Sequence, residues 1–140
     1  MTFLLDTMVV SEGFKSPRRR DPTVAAWLAG ADDGAMFVAS VTIGEIRRGI
    51  ELKRRKDEVA AGSMEAWLTQ VVDRFSGRVI AIDVPVAQRW GRIAALPGPP
   101  TIDAYVAAAA LEHDLTVVTR NVRDFERFGV PVLNPYEAHP

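Results

Sequence analysis

Apolar positions follow two rhythms along the chain. Thr2 to Leu5 is a short, β-prone apolar run that ends on an acid, Asp6, and Met36 to Ala39, Val79 to Ile82 and Leu115 to Thr119 repeat that form. Val130 to Leu133 supplies a last, edge-like run. Between these runs the apolar residues recur at spacings of three and four, as on one face of a helix. Such stretches cover Pro22 to Leu28, a segment carrying Ile43, Ile46 and Ile50, and Val59 to Phe75 with Met64, Trp67, Leu68, Val71 and Val72 on its apolar side. Two more include Val86 and Trp90, and an Ala-rich run from Thr101 to Glu112. The stretch after Asp6 reads as a basic, proline-containing loop, and Leu96-Pro97-Gly98-Pro99-Pro100 as a second loop where no regular element can continue. Short strands alternating with longer helices require crossover connections. The expected fold is therefore α/β, a three-layer α/β/α sandwich with a mostly parallel central sheet.

A chain of 140 residues, 48% hydrophobic and 25% charged, is long enough for one core, so residues 1–140 are read as one domain. There is no cysteine, which excludes disulfides and thiolate metal sites. Neither a basic leader nor a long apolar stretch precedes Asp6, so a cytoplasmic protein with no membrane partner is expected. The formal charge is −1, unlike that of a general nucleic-acid sponge, but its distribution is uneven. Positions 47–56 hold six basic residues and one acid, and Lys15, Arg18, Arg19 and Arg20 form a second patch. Either is a solvated surface or a place to meet phosphates or an acidic partner.

Asp6 follows the first strand, Glu45 lies early in the helix after the second, and Asp103 lies in the first turn of the Ala-rich helix. Asn121 and Asp124 follow the fourth strand. In a parallel sheet these strand-to-helix transitions gather at the carboxyl edge, where open α/β folds place their ligand crevices. Each acid also has a structural use. Asp6 and Asp103 suit helix starts, and Glu45 completes a Thr42-x-x-Glu45 capping box. Clustered carboxylates repel one another, and a hard divalent cation that accepts oxygen ligands would offset that repulsion; Mg²⁺ or Mn²⁺ fits better than zinc. His113 and His139 are the only histidines and neither sits by an acidic strand end; His113 reads as a helix C-terminal residue. No serine nucleophile elbow, P-loop or dinucleotide-binding glycine cluster occurs.

FLLDTMVVSE at 3–12, SVTIGEIRRGIE at 40–51, TIDAYVAAAALEHDLTVVTRNVRDFE at 101–126 and VPVLNPYE at 130–137 together resemble a bacterial PIN-domain toxin of the VapC type. The resemblance implies a Mg²⁺- or Mn²⁺-dependent endoribonuclease, the toxin of a toxin–antitoxin pair, with an RNA substrate, a small cognate antitoxin and a homodimeric state. Matched motif by motif, it places the acids on Asp6, Glu45 and Asp103 and the fourth metal position on Asn121, with Asp124 three residues on. Many members carry Asp at the position of Asn121, and the pattern after the first strand is D-T-N where this chain has Met8. Met lacks the amide's hydrogen-bonding groups. Two readings follow: a nuclease whose neighbouring groups fill the gap, or a catalytically weak PIN-like module that binds a partner protein or RNA. Arg120 and Arg123 are the nearest candidates for RNA phosphates, and Arg47 and Arg48 are next. An arginine from the antitoxin pairing with the acidic rim is the expected mode of inhibition.

Overall fold

The computed structural model describes residues 1–98 and 101–137. Pro99 and Pro100 of the proline-rich loop, and His139, lie outside the described residues. The elements run β1 (Phe3–Leu5), α1 (Thr7–Glu12), α2 (Pro22–Gly30), β2 (Met36–Ala39), α3 (Ser40–Arg54), α4 (Glu58–Arg74), β3 (Val79–Ile80), α5 (Val84–Ala94), α6 (Ile102–Glu112), β4 (Thr116–Val118), α7 (Val122–Glu126) and β5 (Val132–Leu133), with a 3₁₀ turn at Asp33–Ala35. The strand order is β3-β2-β1-β4-β5, and all four pairings are parallel. The fold is thus the expected three-layer α/β/α sandwich, with a sheet parallel throughout its pairings.

Strand alternation builds two cores, one on each face of the sheet. Leu4, Ala39 and Val117 face a cluster completed by Val86, α6 and Phe125. Leu5, Val38 and Val118 face the other, with Val9, Val24, Ile50 and Leu68. In α6 the residues Ala104 and Val106 to Ala110 are all buried, so the helix is apolar almost all round and its small side chains allow close packing. Truncating a filled position such as Leu4 to Ala would cost about 2–5 kcal/mol. Both amphipathic-helix tryptophans find partners within the chain: Trp90 stacks on Tyr105 at 4.5 Å, and Trp67 meets Phe14 at 5.4 Å.

Two short helices depart from the sequence expectation. The segment after Asp6, read as loop, forms α1, and α7 follows Asn121. At six and five residues they are too short to declare a period; the Asp6 cap and burial of Val9 and Val10 fix α1, and burial of Phe125 fixes α7. β2 has the bounds of its apolar run and the other four strands are shorter than theirs; β3 stops at Ile80 because Asp83 begins capping α5, accepting from the Val86 N–H at 3.1 Å. Among the described residues no helix is long and apolar enough to cross a membrane.

Candidate active site

The path of the chain locates the crevice. Beginning at the central β1, the strands proceed outward through β2 and β3, then return to the other side of β1 for β4 and β5. The order reverses between β1 and β4, and the carboxyl ends of strands at such a switch point leave room for a ligand. Asp6 ends β1 and Thr119 ends β4 there. The Asp6 N–H donates to the Val118 carbonyl at 3.0 Å, carrying the ladder one step past the strand.

Asp6 is only 4% exposed, yet its carboxylate is satisfied on both oxygens. Oδ1 accepts from the Thr7 N–H at 2.8 Å, as the N-cap of α1, and Oδ2 accepts from Thr119 Oγ1 at 2.7 Å. Thr119 Oγ1 in turn accepts from the Asn121 N–H at 3.0 Å, so one buried hydroxyl joins the first acid to the loop bearing the fourth position. Glu45 is held in the same way, accepting from Thr7 Oγ1 at 2.7 Å. The capping box anticipated for Glu45 is absent: α3 starts at Ser40 with Ala39 as its N-cap, no side chain caps it, and the Thr42 hydroxyl is buried without a partner. The helix begins three residues too early for Thr42 to act as its cap, and Glu45 accepts from Thr7 instead.

Asp103 lies in the first turn of α6, where the helix dipole favours an anion by about 0.3–1 kcal/mol. Its carboxyl is nevertheless pushed up to about 6, first by burial and then by the charges of Asp6, Asp124 and Glu45, with Arg127 opposing. Four carboxylates therefore share one electrostatic neighbourhood. Asn121 is the N-cap of α7 but makes no side-chain cap bond, and Asp124 sits in that helix's first turn. Among the described residues, no group of three or more acids or histidines closes into a ready-made metal cluster. The donors these residues offer are all oxygen, the kind that a hard divalent cation accepts.

Two concavities flank the acids. One, about 500 Å³, is lined by Val41, Gly44, Glu45, Arg48 and Ile102. The other, about 370 Å³, includes Arg120, Asn121, Arg123 and Asp124. Three of the four candidate arginines thus stand beside the acidic rim. Arg47 does not share that role: it pairs with Glu51 at 3.2 Å and Glu65 at 2.5 Å across α3 and α4. Met8, on α1, leaves its side chain 44% exposed, and His113 is the C-cap of α6. Sequence reasoning missed Thr7, Thr119 and Arg127. The two threonines stood inside the quoted motifs, each next to or near a carboxylate, but a hydroxyl carries no sign of its partner until the strands are paired.

The PIN domain family matches residues 3–131. The chain is similar to the plasmid stability protein StbB of Pseudomonas syringae pv. tomato, 32% identical over 96% of this chain and 99% of that protein. It is similar to the toxin FitB of Neisseria gonorrhoeae at 32% identity over 95% and 97%, and to the VapC ribonuclease Y4jK of Sinorhizobium fredii at 28% over 96% and 97%. The crystal structure of FitAcB from Neisseria gonorrhoeae superposes with a TM-score of 0.85, at 31% identity over 98% of this chain and all of that one. A family match across nearly the whole fold, with full-length relatives above 30% identity, shows that the protein belongs to the PIN-domain family and is closely related to the FitB- and VapC-type toxins of toxin–antitoxin systems.

Proposed function

We propose that the protein is a metal-dependent endoribonuclease, the toxin of a toxin–antitoxin pair. The observation that carries this reading is the convergence of Asp6, Glu45, Asp103 and Asp124 on one side of the sheet at its switch point, where burial first and the neighbouring acids second push the Asp103 carboxyl up to about 6. Kinship with a protein named as a VapC ribonuclease supplies the substrate class. Asp6, Glu45 and Asp103 are the proposed catalytic acids and metal-holding groups, with Asn121 and Asp124 as further oxygen donors. Mg²⁺ is the proposed ion and Mn²⁺ the alternative. When bound, the metal would activate a water and stabilise charge developing at phosphorus and the leaving oxygen.

The chain's own residues prepare that chemistry. Thr119 and the Thr7 N–H hold both oxygens of Asp6, and Thr7 Oγ1 holds Glu45, so neither acid can swing away when the site is empty of substrate. Fixed orientation of this kind removes reorganisation from the reaction step. Arg48, Arg120 and Arg123 border the acids and would offset the phosphate charge of an approaching RNA strand. A small antitoxin whose arginine pairs with the rim, and a homodimeric assembly, complete the proposal on the strength of the kinship with FitB- and VapC-type toxins.

Purified protein should cleave RNA with Mg²⁺ or Mn²⁺ and stop with a chelator, and Asp6→Asn and Asp103→Asn should each abolish cleavage. Retained cleavage in both variants would reject the site. A second reading, a weak PIN-like module that binds RNA or a partner protein, is favoured by Met8 and by the neutral Asn121. Met8→Asn decides between them: faster cleavage identifies the missing amide as a defect, and an equal rate removes that explanation.

A further inference from the structure

Beyond the acids, one arginine at the rim is held in an unusual way. Arg120 follows β4 directly, and its guanidinium lies 4.9 Å over the ring of Tyr136. Among the described residues it makes no ion pair, unlike Arg47 and Arg54, whose N–H groups are taken by carboxylates. A stacked guanidinium presents only its face to the ring, so its in-plane N–H donors stay available. Arg120 lines the same concavity as Asn121 and Asp124.

The ring beneath it is itself fixed. The Tyr136 hydroxyl donates to Glu12 Oε1 at 3.4 Å, and the Tyr136 N–H donates to Asn134 Oδ1 at 2.9 Å. Burial, followed by the neighbouring charge of Glu12, pushes the phenol up to about 12, so it remains a donor at neutral pH. Glu12, 4% exposed at the end of α1, is anchored by Lys15 at 2.7 Å and by the Asp21 N–H at 3.1 Å. Burial pushes its carboxyl up, but Lys15, the Asp21 N–H and Tyr136 outweigh that and hold it below the ordinary value. A buried acid with this many partners is more than the packing of a six-residue helix requires.

We propose that Tyr136, pinned by Glu12, is a positioning residue that holds Arg120 at the acidic rim so that its free donors take a backbone phosphate of single-stranded RNA. The inference rests on the ribonuclease reading for the identity of the ligand. An arginine fixed on a ring loses less side-chain freedom on binding than one projecting into solvent.

The test uses the full chain carrying Asp103→Asn, so that RNA is bound without being cut, and follows the anisotropy of a fluorescein-labelled, mixed-sequence single-stranded RNA through a salt series. Arg120→Ala is expected to weaken binding about ten-fold and to reduce the salt slope by about 0.7, one phosphate's share on a single strand. Tyr136→Leu should weaken binding about three-fold, and have no further effect once Arg120 is alanine. Tyr136→Phe, which keeps the ring and loses the bond to Glu12, serves if the leucine variant does not fold, and should give a smaller loss that also vanishes without Arg120. In the chain with Asp103 intact, the same changes should raise KM at nearly constant kcat. An unchanged salt slope in Arg120→Ala, or a Tyr136 effect of equal size with and without Arg120, would overturn the proposal. Absence of any cleavage by the unaltered chain would sink the ribonuclease reading alone, and the binding series would still decide the role of Tyr136.

Discussion

Two regions of this molecule are dense in charge, and they treat it in opposite ways. On the α3/α4 hairpin, Arg47 and Arg54 interleave with Glu51, Glu58 and Glu65, each charge answered by its opposite. Hydrogen bonds from Arg54 and Arg47 hold the Glu51 carboxyl below its ordinary value. At the carboxyl edge of the sheet, burial and the neighbouring carboxylates push Asp103 the other way. In sequence this segment, with six basic residues in ten positions, read either as a solvated surface or as a place to meet phosphates. Two of the four arginines at 47–56, Arg47 and Arg54, are spent on the fold's own acids, while Arg48 lines the concavity beside Glu45. Charge is balanced in the pairs of the hairpin and left unbalanced at the switch point, a difference that charge density alone does not reveal.

The largest expected effect breaks the acidic side of the comparison. Asp6→Asn and Asp103→Asn should each lower the RNA cleavage rate by about 100-fold or more, read by single-turnover kinetics at saturating Mg²⁺. Their stabilities should diverge. Asp6 accepts two hydrogen bonds, so its neutral variant melts lower, whereas neutralising Asp103 removes repulsion. Burial first and the neighbouring acids second raise the Asp103 carboxyl from 3.8 to about 6, which corresponds to about 3 kcal/mol in full, and solvent screening at this half-buried group reduces it to about 1 kcal/mol. Asp103→Asn should therefore be the more stable and the less active protein, as measured by chemical denaturation at pH 7.

Next in size is Thr119→Val, which leaves the buried Asp6 Oδ2 and the Asn121 N–H without their shared partner. A loss of about 1–3 kcal/mol is expected, with cleavage reduced about ten-fold because Asp6 is no longer oriented. A variant that melts lower but cleaves normally would reduce Thr119 to a structural role.

A smaller effect is the pH dependence of the metal-free protein. The Asp103 carboxyl titrates near 3.8 when unfolded and near 6 when folded. Well below the unfolded value both states hold the proton and no cost arises. As pH rises to about 6 the folded state must give up a proton it retains more tightly, so stability falls across that window and levels above it. Denaturation of the unaltered chain against Asp103→Asn over pH 4–7 should show the difference growing and then flattening. Smallest of all, Arg54→Ala on the hairpin should leave cleavage unchanged, with a melting shift that fades in high salt, since exposed pairs are screened.

The layered fold was legible because strand and helix periods are local: five apolar runs and five long helices stand where the pattern puts them. The acidic rim was legible in part because strand ends in a parallel sheet share an edge, which places Asp6 after β1, Glu45 in the helix after β2 and Asp124 after β4; Asp103, expected at a strand-to-helix transition, instead opens a helix that follows α5, and the packing of α6 brings it to the same neighbourhood. What pairing alone decides was not. Thr119 meets Asp6 across 113 positions and Thr7 meets Glu45 across 38, so neither hydroxyl announces its partner in the chain. Tyr136 meets Glu12 across 124 positions for the same reason. Arg47 looked free because its partner Glu65 lies on the next helix.

The central claim, that unbalanced carboxylates at the switch point take a divalent cation, is tested most directly by isothermal titration of Mn²⁺ into the unaltered chain, Asp103→Asn and Arg54→Ala. The account predicts saturable binding in the unaltered chain and in Arg54→Ala, and binding weakened at least ten-fold in Asp103→Asn. Equal Mn²⁺ affinity in all three proteins would contradict it.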